Sequence, residues 1–348
     1  MKFKAAILVE LKKPLVIDEI ETPPLRFGQV LVKILCTGIC GAQINEIEGA
    51  KGPDKFLPHL LGHEATATVL ECGEGVTTVA PGDRVVCHWR KGAGIHAPIP
   101  KLKSGIGDIN AGWVTTFSEY SVVSENRVTK VPDNFDPEIG ALMGCAVTTA
   151  MGVINNDAHL GIGESIAVFG TGGVGLNIVQ FAAMVAAHPI IAIDLHDHKL
   201  ELAKKLGATH TLNTAHCDVA SEVLKIVGNR GVDVAVENTG VADVIETAYN
   251  VTSPEGRTIL VGVPTKSARH PSFYTLPLHF DKVLTGSHGG DCRPDVDIPK
   301  LVRLCQAGKL NFSGLVSKRY AFEQINEAID DLRKGRVAGR CMVQMEKQ

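Results

Sequence analysis

The sequence predicts an α/β fold in two parts, a compact, mostly antiparallel β-domain and a doubly wound parallel sheet. Three observations carry this prediction. Short β-type runs separated by Pro and Gly fill roughly the first 140 residues. From about Thr148 the chain changes to alternating strand and helix patterns, the mark of a parallel sheet. One of those strands runs straight into Gly170-Thr171-Gly172-Gly173-Val174-Gly175 and then into a stretch that is apolar at helical period.

In chain order, the β-type runs of the first part are 5–9, 15–19, 29–35, 65–72, 84–88 and 117–123. The second part reads as strands at 165–169, 190–194, 232–237, 257–261 and 283–287, with helices at 176–187, 199–206, 220–227 and 241–250. A helix at 298–307, a strand at 315–320, a helix at 321–333 and a strand at 339–344 follow. This late return to β predicts that the C-terminus closes back onto the first part. Residues 1–147 and 288–348 are therefore expected to form one domain, and residues 148–287 the other.

The glycine turn has a geometric logic. Gly170 permits the tight turn, Gly172 lets backbone N–H groups approach a pyrophosphate, and Gly175 lets helix and strand pack closely. The helix N-terminus then faces the negative charge. Asp194 closes the next strand, where an acidic residue about 20 positions on holds the ribose hydroxyls. It would repel a 2′-phosphate, which predicts NAD over NADP, although His196, His198 and Lys199 stand close by.

Composition narrows the class of function. A net charge of −3 with acids and bases interspersed points to neither nucleic acid nor an anionic membrane as a partner. No run of 18 apolar residues is present, and the N-terminus passes directly into a strand-like stretch. Nine Cys, an odd number scattered through a long chain, fit reduced thiols in a cytoplasmic enzyme better than a disulfide framework.

A second constellation lies in the β-domain: Cys36-Thr37-Gly38-Ile39-Cys40-Gly41-Ala42-Gln43, then Gly62-His63-Glu64. Two thiolates, with the second from Cys145, and one imidazole would make a three-ligand zinc site with an open fourth position. Taken singly, each residue is as well read as a small buried hydrophobe or a satisfied polar group. Gly62-His63-Glu64, Ala67 where Gly is usual, Gly73 and Val76 together resemble the signature G-H-E-x2-G-x5-G-x2-V. That is the zinc signature of the medium-chain alcohol and polyol dehydrogenase family. The resemblance extends through Gly38-Ile39-Cys40-Gly41, Pro81-Gly82-Asp83-Arg84-Val85, Phe117-Ser118-Glu119-Tyr120, Gly144-Cys145 with Thr148-Thr149, the glycine turn and Leu206-Gly207-Ala208.

The resemblance implies a GroES-like catalytic domain joined to a Rossmann domain, one catalytic zinc, NAD(H), and a homodimer or homotetramer. It makes Cys40, His63 and Cys145 the zinc ligands, with Glu64 behind the metal. It places Thr149 against the nicotinamide, Val174 beneath the pyrophosphate turn, Lys199 near the adenosine ribose, Val261 and Val263 along the carboxamide, and Arg340 at the pyrophosphate. The implied reaction is hydride transfer between NAD(H) and an alcohol or carbonyl. The alternatives are a zinc-free NAD(P)H-dependent reductase of the same superfamily and a silent nucleotide-binding protein.

The chain also departs from the family pattern. Ala42 and Asn45 stand where a hydroxyl and a His usually relay the alcohol proton, and Gln43 stands where an Asp usually orients the ligand His. The substitute proton route is expected to use ordered water with Glu64, His88 or His288. After the Gly82-Asp83-Arg84-Val85 strand, Cys87 alone replaces the usual four Cys, so no structural zinc is expected. Trp89 is a candidate pocket wall, with Arg90 and Lys91 as anchors for an anionic group. Asn110, Trp113, Thr115 and Thr116 suggest a polar lining suited to a polyol, sugar or phosphorylated alcohol.

Overall fold

The structure, a computed structural model, describes residues 1–265 and 269–345. The chain divides into two compact units. One comprises Met1–Thr148, Arg293–Phe312 and Val316–Gln348, and the other Thr149–Cys292 and Ser313–Leu315. The return to the first unit thus falls at Arg293 rather than at residue 288. The reason lies at Gly290, which packs so tightly on the backbone of Thr149 and Val153 that an added Cβ would lie 2.4 Å from the Thr149 carbonyl oxygen.

The first unit is built on two sheets. Its strands are β1 (Lys2–Leu8), β2 (Val16–Glu21), β3 (Gln29–Ile39), β4 (His59–Leu60), β5 (Glu64–Cys72), β6 (Arg84–His88), β7 (Leu102–Ser104), β8 (Gly107–Ile109), β9 (Tyr120–Ser124) and β10 (Val128–Lys130). The five-stranded sheet runs β4-β1-β2-β7-β8. In the other sheet, β10-β6-β5-β3 continues into the two last strands of the chain, and β9 also pairs with β3. Alternate residues of β3, β5 and β6 (Val30, Val32, Ile34, Ala65, Ala67, Val69, Val85, Cys87) meet in one apolar cluster, as period-2 patterning requires. Three helices precede the second unit's sheet: α1 (Gly41–Ile47), α2 (Pro137–Met143) and α3 (Ala146–Gly152).

The second unit's sheet has strands β11 (Ile166–Phe169), β12 (Ile190–Asp194), β13 (His210–Asn213), β14 (Val232–Glu237), β15 (Thr252–Leu260) and β16 (Val283–Gly286). Their order is β13-β12-β11-β14-β15-β16 and every pairing is parallel. Helices α4 (Gly173–Met184), α5 (Asp197–Lys205), α6 (Val219–Val227) and α7 (Ala242–Val251) connect them. This is the expected doubly wound sheet, with its reversal of strand order between β11 and β14, the place where such sheets bind ligands.

The chain ends with α8 (Pro294–Gln306), β17 (Val316–Ala321), α9 (Ile325–Arg333) and β18 (Arg340–Gln344). β18 pairs antiparallel with β3, with Cys341 opposite Ile39 and Gln344 opposite Cys36. The C-terminal strand is thereby laid beside the segment that leads to Cys40. Among the described residues, no single helix is long and apolar enough to cross a membrane.

Candidate active site

Three chain segments bring the metal-type side chains together. β3 ends at Ile39, and Cys40 precedes α1. Gly62, at φ +90, turns the chain so that His63 enters just before β5, and an added Cβ there would press to 2.4 Å on the Thr116 hydroxyl. Cys145 sits in the break between α2 and α3. The ligand atoms of Cys40, His63 and Cys145 all lie within 4.8 Å of one another. Cys40 and His63 are half-buried and Cys145 is buried. His63 Nε2 is buried without a hydrogen-bond partner, as a nitrogen reserved for a metal would be. Two thiols and one imidazole in this spacing fit zinc.

Charge is distributed unevenly here. The Cys145 thiol donates toward Cys40 and holds it well below the ordinary thiol range against the cost of burial, with Arg340 and His63 assisting. The same contact, together with burial, pushes Cys145 well above that range. Burial opposes charge on His63, but Cys40 and Glu64 outweigh it and raise its pKa.

Glu64 is fully buried behind the ligands. Burial raises its pKa, and the Arg340 guanidinium opposes the rise. Arg340 Nε lies 3.1 Å from Glu64 Oε1 as an ion pair. Two glycines make the room. A Cβ on Gly38 would come within 2.3 Å of Glu64 Oε1, and one on Gly144 within 2.9 Å of the Glu64 Cα. Sequence reasoning missed this use of Gly38 and Gly144. The signal was present, since each lies just ahead of a ligand Cys.

Arg340 was expected at a pyrophosphate. Its Nε pairs with Glu64, its Nη2 is buried without a hydrogen-bond partner, and its pKa rises because Cys40, Glu64 and Cys145 outweigh the cost of burial. Gln43 meets two partners. Its carbonyl oxygen accepts the Cys40 N–H at 2.9 Å, capping α1, so it is the amide nitrogen that meets His63 Nδ1.

His88 is corrected outright. It is fully buried, with Nδ1 at 2.7 Å from the Arg90 carbonyl and Nε2 at 2.9 Å from the Thr129 hydroxyl, and burial lowers its pKa to about 4. Such a ring has no nitrogen left to carry a substrate proton. The polar insert is hydrogen-bonded as well. Thr116 bonds the Thr37 hydroxyl at 2.8 Å, the Thr115 carbonyl accepts the Ser121 hydroxyl, and Asn110 Nδ2 donates to the Phe56 carbonyl at 2.7 Å. These bonds brace the first unit. Trp89 is half-buried with the Arg90 guanidinium over its ring at 5.8 Å, and Lys91 is exposed. His288 lies on the surface of the second unit.

In the second unit, Gly170 has φ +85, so the tight turn does require glycine. A Cβ on Gly175 would fall 2.0 Å from the Gly170 carbonyl oxygen, whereas one on Gly172 would meet nothing within 4 Å. Gly172 thus leaves open space at the N-terminus of α4, where helix N–H groups can accommodate an anion. Asp194 ends β12 with its Oδ2 bonded to the Thr171 N–H at 2.8 Å, and Lys199 Nζ lies 3.8 Å from its Oδ1. The Val261 N–H bonds the Glu237 carbonyl, which fixes the start of the loop carrying Val263. The Thr149 hydroxyl is buried with no partner.

Comparison with known proteins agrees with both units. Residues 26–133 match the alcohol dehydrogenase GroES-like domain, and residues 173–307 match the zinc-binding dehydrogenase domain. The chain belongs to the zinc-dependent medium-chain dehydrogenase family. It is an oxidoreductase of that family. It is 34% identical to an NDMA-dependent alcohol dehydrogenase of Amycolatopsis methanolica, over 97% of each chain. It is 32% identical to alcohol dehydrogenase 1 of Pisum sativum, covering 100% of this chain and 98% of that one. Among solved structures, benzyl alcohol dehydrogenase from Acinetobacter calcoaceticus superposes with a TM-score of 0.89 at 28% identity, covering 99% of this chain and 100% of the other.

Proposed function

We propose that this dehydrogenase uses one zinc per chain and NAD(H) to interconvert a small alcohol and its carbonyl compound. The observation that carries the reading is the convergence of Cys40, His63 and Cys145 within 4.8 Å, with the buried His63 Nε2 unpaired. Cys40, His63 and Cys145 would hold the zinc, which would supply a Lewis acid able to lower the pKa of an alcohol. The nicotinamide supplies or accepts the hydride.

The chain's own residues orient and exclude. Ligation through Nε2 would put the His63 proton on Nδ1, so in the metal-bound state Gln43 would have to present its carbonyl oxygen there in place of the amide nitrogen. The Glu64–Arg340 pair keeps a compensated charge behind the ligands. Gly172 leaves space for the pyrophosphate, and Asp194 takes the ribose hydroxyls. With Ala42 and Asn45 in the relay positions and His88 fully engaged, the proton route we assign is ordered water with Glu64 or His288. Trp89, one residue past the strand position that pairs with Glu64, is assigned as a wall of the substrate pocket.

The test is elemental analysis of protein purified without added metal, together with NADH-coupled turnover of a panel of alcohols. One zinc per chain in the wild type, with zinc and turnover both lost in Cys145→Ser, is the expected result. A wild type without zinc would sink the reading and favour a zinc-free reductase.

A further inference from the structure

The carboxylate of Asp194 is nearly filled by the protein itself. Its Oδ2 accepts both the Thr171 N–H at 2.8 Å and the Thr171 hydroxyl at 3.1 Å. Its Oδ1 accepts the His196 N–H at 3.1 Å and faces Lys199 Nζ at 3.8 Å, beyond hydrogen-bond reach. Asp194 is only 9% exposed and Thr171 is fully buried. Thr171 occupies the variable place between the first two glycines of the turn, where the fingerprint asks only for a residue that fits. Any residue there except Pro would give the N–H, but a short hydroxyl as second donor comes only from Thr or Ser.

We propose that Thr171 is a positioning residue for cofactor choice: its hydroxyl pins Asp194 so that Oδ1 stays open to the ribose and is held at 3.8 Å from Lys199 Nζ, short of a hydrogen bond. This rests on the NAD(H) reading above. An ionised carboxylate has about four acceptor directions, and here two at Oδ2 and one at Oδ1 are taken by fixed donors. One direction on Oδ1 remains for a ribose hydroxyl. Lys199 is the competing partner. Without the Thr171 hydroxyl, Oδ2 loses a donor to a charged group, and the carboxylate turns to close the gap to Lys199. The acceptor for the ribose is then lost, and so is the negative charge that repels a 2′-phosphate. Beside it stand His196 and His198, with ring centroids 5.5 Å apart, as further donors to a phosphate. Loss of one hydroxyl therefore moves the two cofactors in opposite directions, which a general loosening of the turn would not do.

The experiment measures dissociation constants of NADH and NADPH on the full chain without substrate, from the fluorescence of the reduced nicotinamide. It compares the wild type with Thr171→Val, which is nearly isosteric, and Thr171→Ser, which keeps the hydroxyl. The expected result is a weakening of NADH by about fivefold to tenfold in Thr171→Val, with tighter NADPH binding in the same protein. Thr171→Ser is expected to stay within about twofold of the wild type for both, one hydroxyl donor being retained. Equal changes for both nucleotides in Thr171→Val, or no change in either, would overturn the proposal. A wild type that binds neither nucleotide would overturn the cofactor reading and this proposal with it.

Discussion

Removing the Arg340 guanidinium tests the electrostatic logic of the metal centre. Its Nε and Glu64 Oε1 are 3.1 Å apart, and the two side chains are 5% and 0% exposed. At an effective dielectric of about 20, that separation corresponds to about 5 kcal/mol of attraction. Arg340→Met would leave a buried carboxylate uncompensated, a change that costs about 3–5 kcal/mol. A domain's whole stability is about 5–15 kcal/mol, so the loss is easily seen. Both tryptophans, Trp89 and Trp113, lie in the first unit, so urea unfolding followed by their fluorescence reports that unit alone. In the double variant Arg340→Met/Glu64→Leu, most of the loss is expected to return, because an apolar pair of similar volume needs no compensation. A cost below about 1 kcal/mol for Arg340→Met, or a double variant as unstable as the sum of its parts, would refute the argument.

Other perturbations separate structural from chemical roles. Gly172→Ala is expected to fold normally and bind NADH weakly, whereas Gly175→Ala, with its Cβ 2.0 Å from a carbonyl oxygen, is expected to destabilise the second unit; thermal melts and nucleotide titration distinguish them. His88→Ala should lose about 1–3 kcal/mol of stability and leave the pH–rate profile above pH 5 unchanged, since the ring is neutral there with a pKa of about 4. Burial works against the charge on Glu125, but N–H groups of Thr77, Ile95 and Thr78 outweigh it and lower its pKa. A depressed carboxylate stabilises the fold above its unfolded pKa of about 4.3 and loses that effect as pH falls through the folded value. The stability gap between wild type and Glu125→Gln, about 2 kcal/mol at pH 7, should therefore shrink in denaturant melts below about pH 4.

Much of this molecule is legible from local sequence. The turn at Gly170–Gly175 announces itself because strand, glycines and helix are contiguous, and β12 ends on Asp194 as expected. What escapes is set by distance or by short elements. α1 has seven residues, too few for a helical period, and is recognisable only from Gln43 reaching back to the Cys40 N–H. β13, at His210–Asn213, carries one aliphatic residue and owes its place to parallel pairing with β12. Arg340 reaches Glu64 because β18 pairs with β3 across some three hundred residues of sequence, a register no local pattern encodes. His88 looked like a reactive group because its type is reactive; its partners, the Arg90 carbonyl and Thr129, decide otherwise.

The segment after β6 shows how hydrogen bonds can hold a loop that contains no thiol beyond Cys87, whose own side chain joins the apolar cluster of β3, β5 and β6. Four consecutive residues do the holding. The Ser124 hydroxyl accepts the Ala97 N–H at 2.8 Å, and Glu125 Oε2 accepts the Ile95 N–H at 2.7 Å. The Asn126 carbonyl accepts the Gly92 N–H at 2.8 Å, and Arg127 donates to the Trp89 carbonyl while its guanidinium stacks 5.5 Å from the Trp113 ring. Glu125 Oε1 also ties in the N–H groups of Thr77 and Thr78, so one buried carboxylate joins two loops. Each bond is modest, but leaving any of these buried groups unpaired would cost about 1–3 kcal/mol. The segment is therefore fixed as a unit, and Trp89 at its start is fixed with it. A residue assigned to the substrate pocket is in this way held through its backbone carbonyl as well as by the Arg90 guanidinium over its ring.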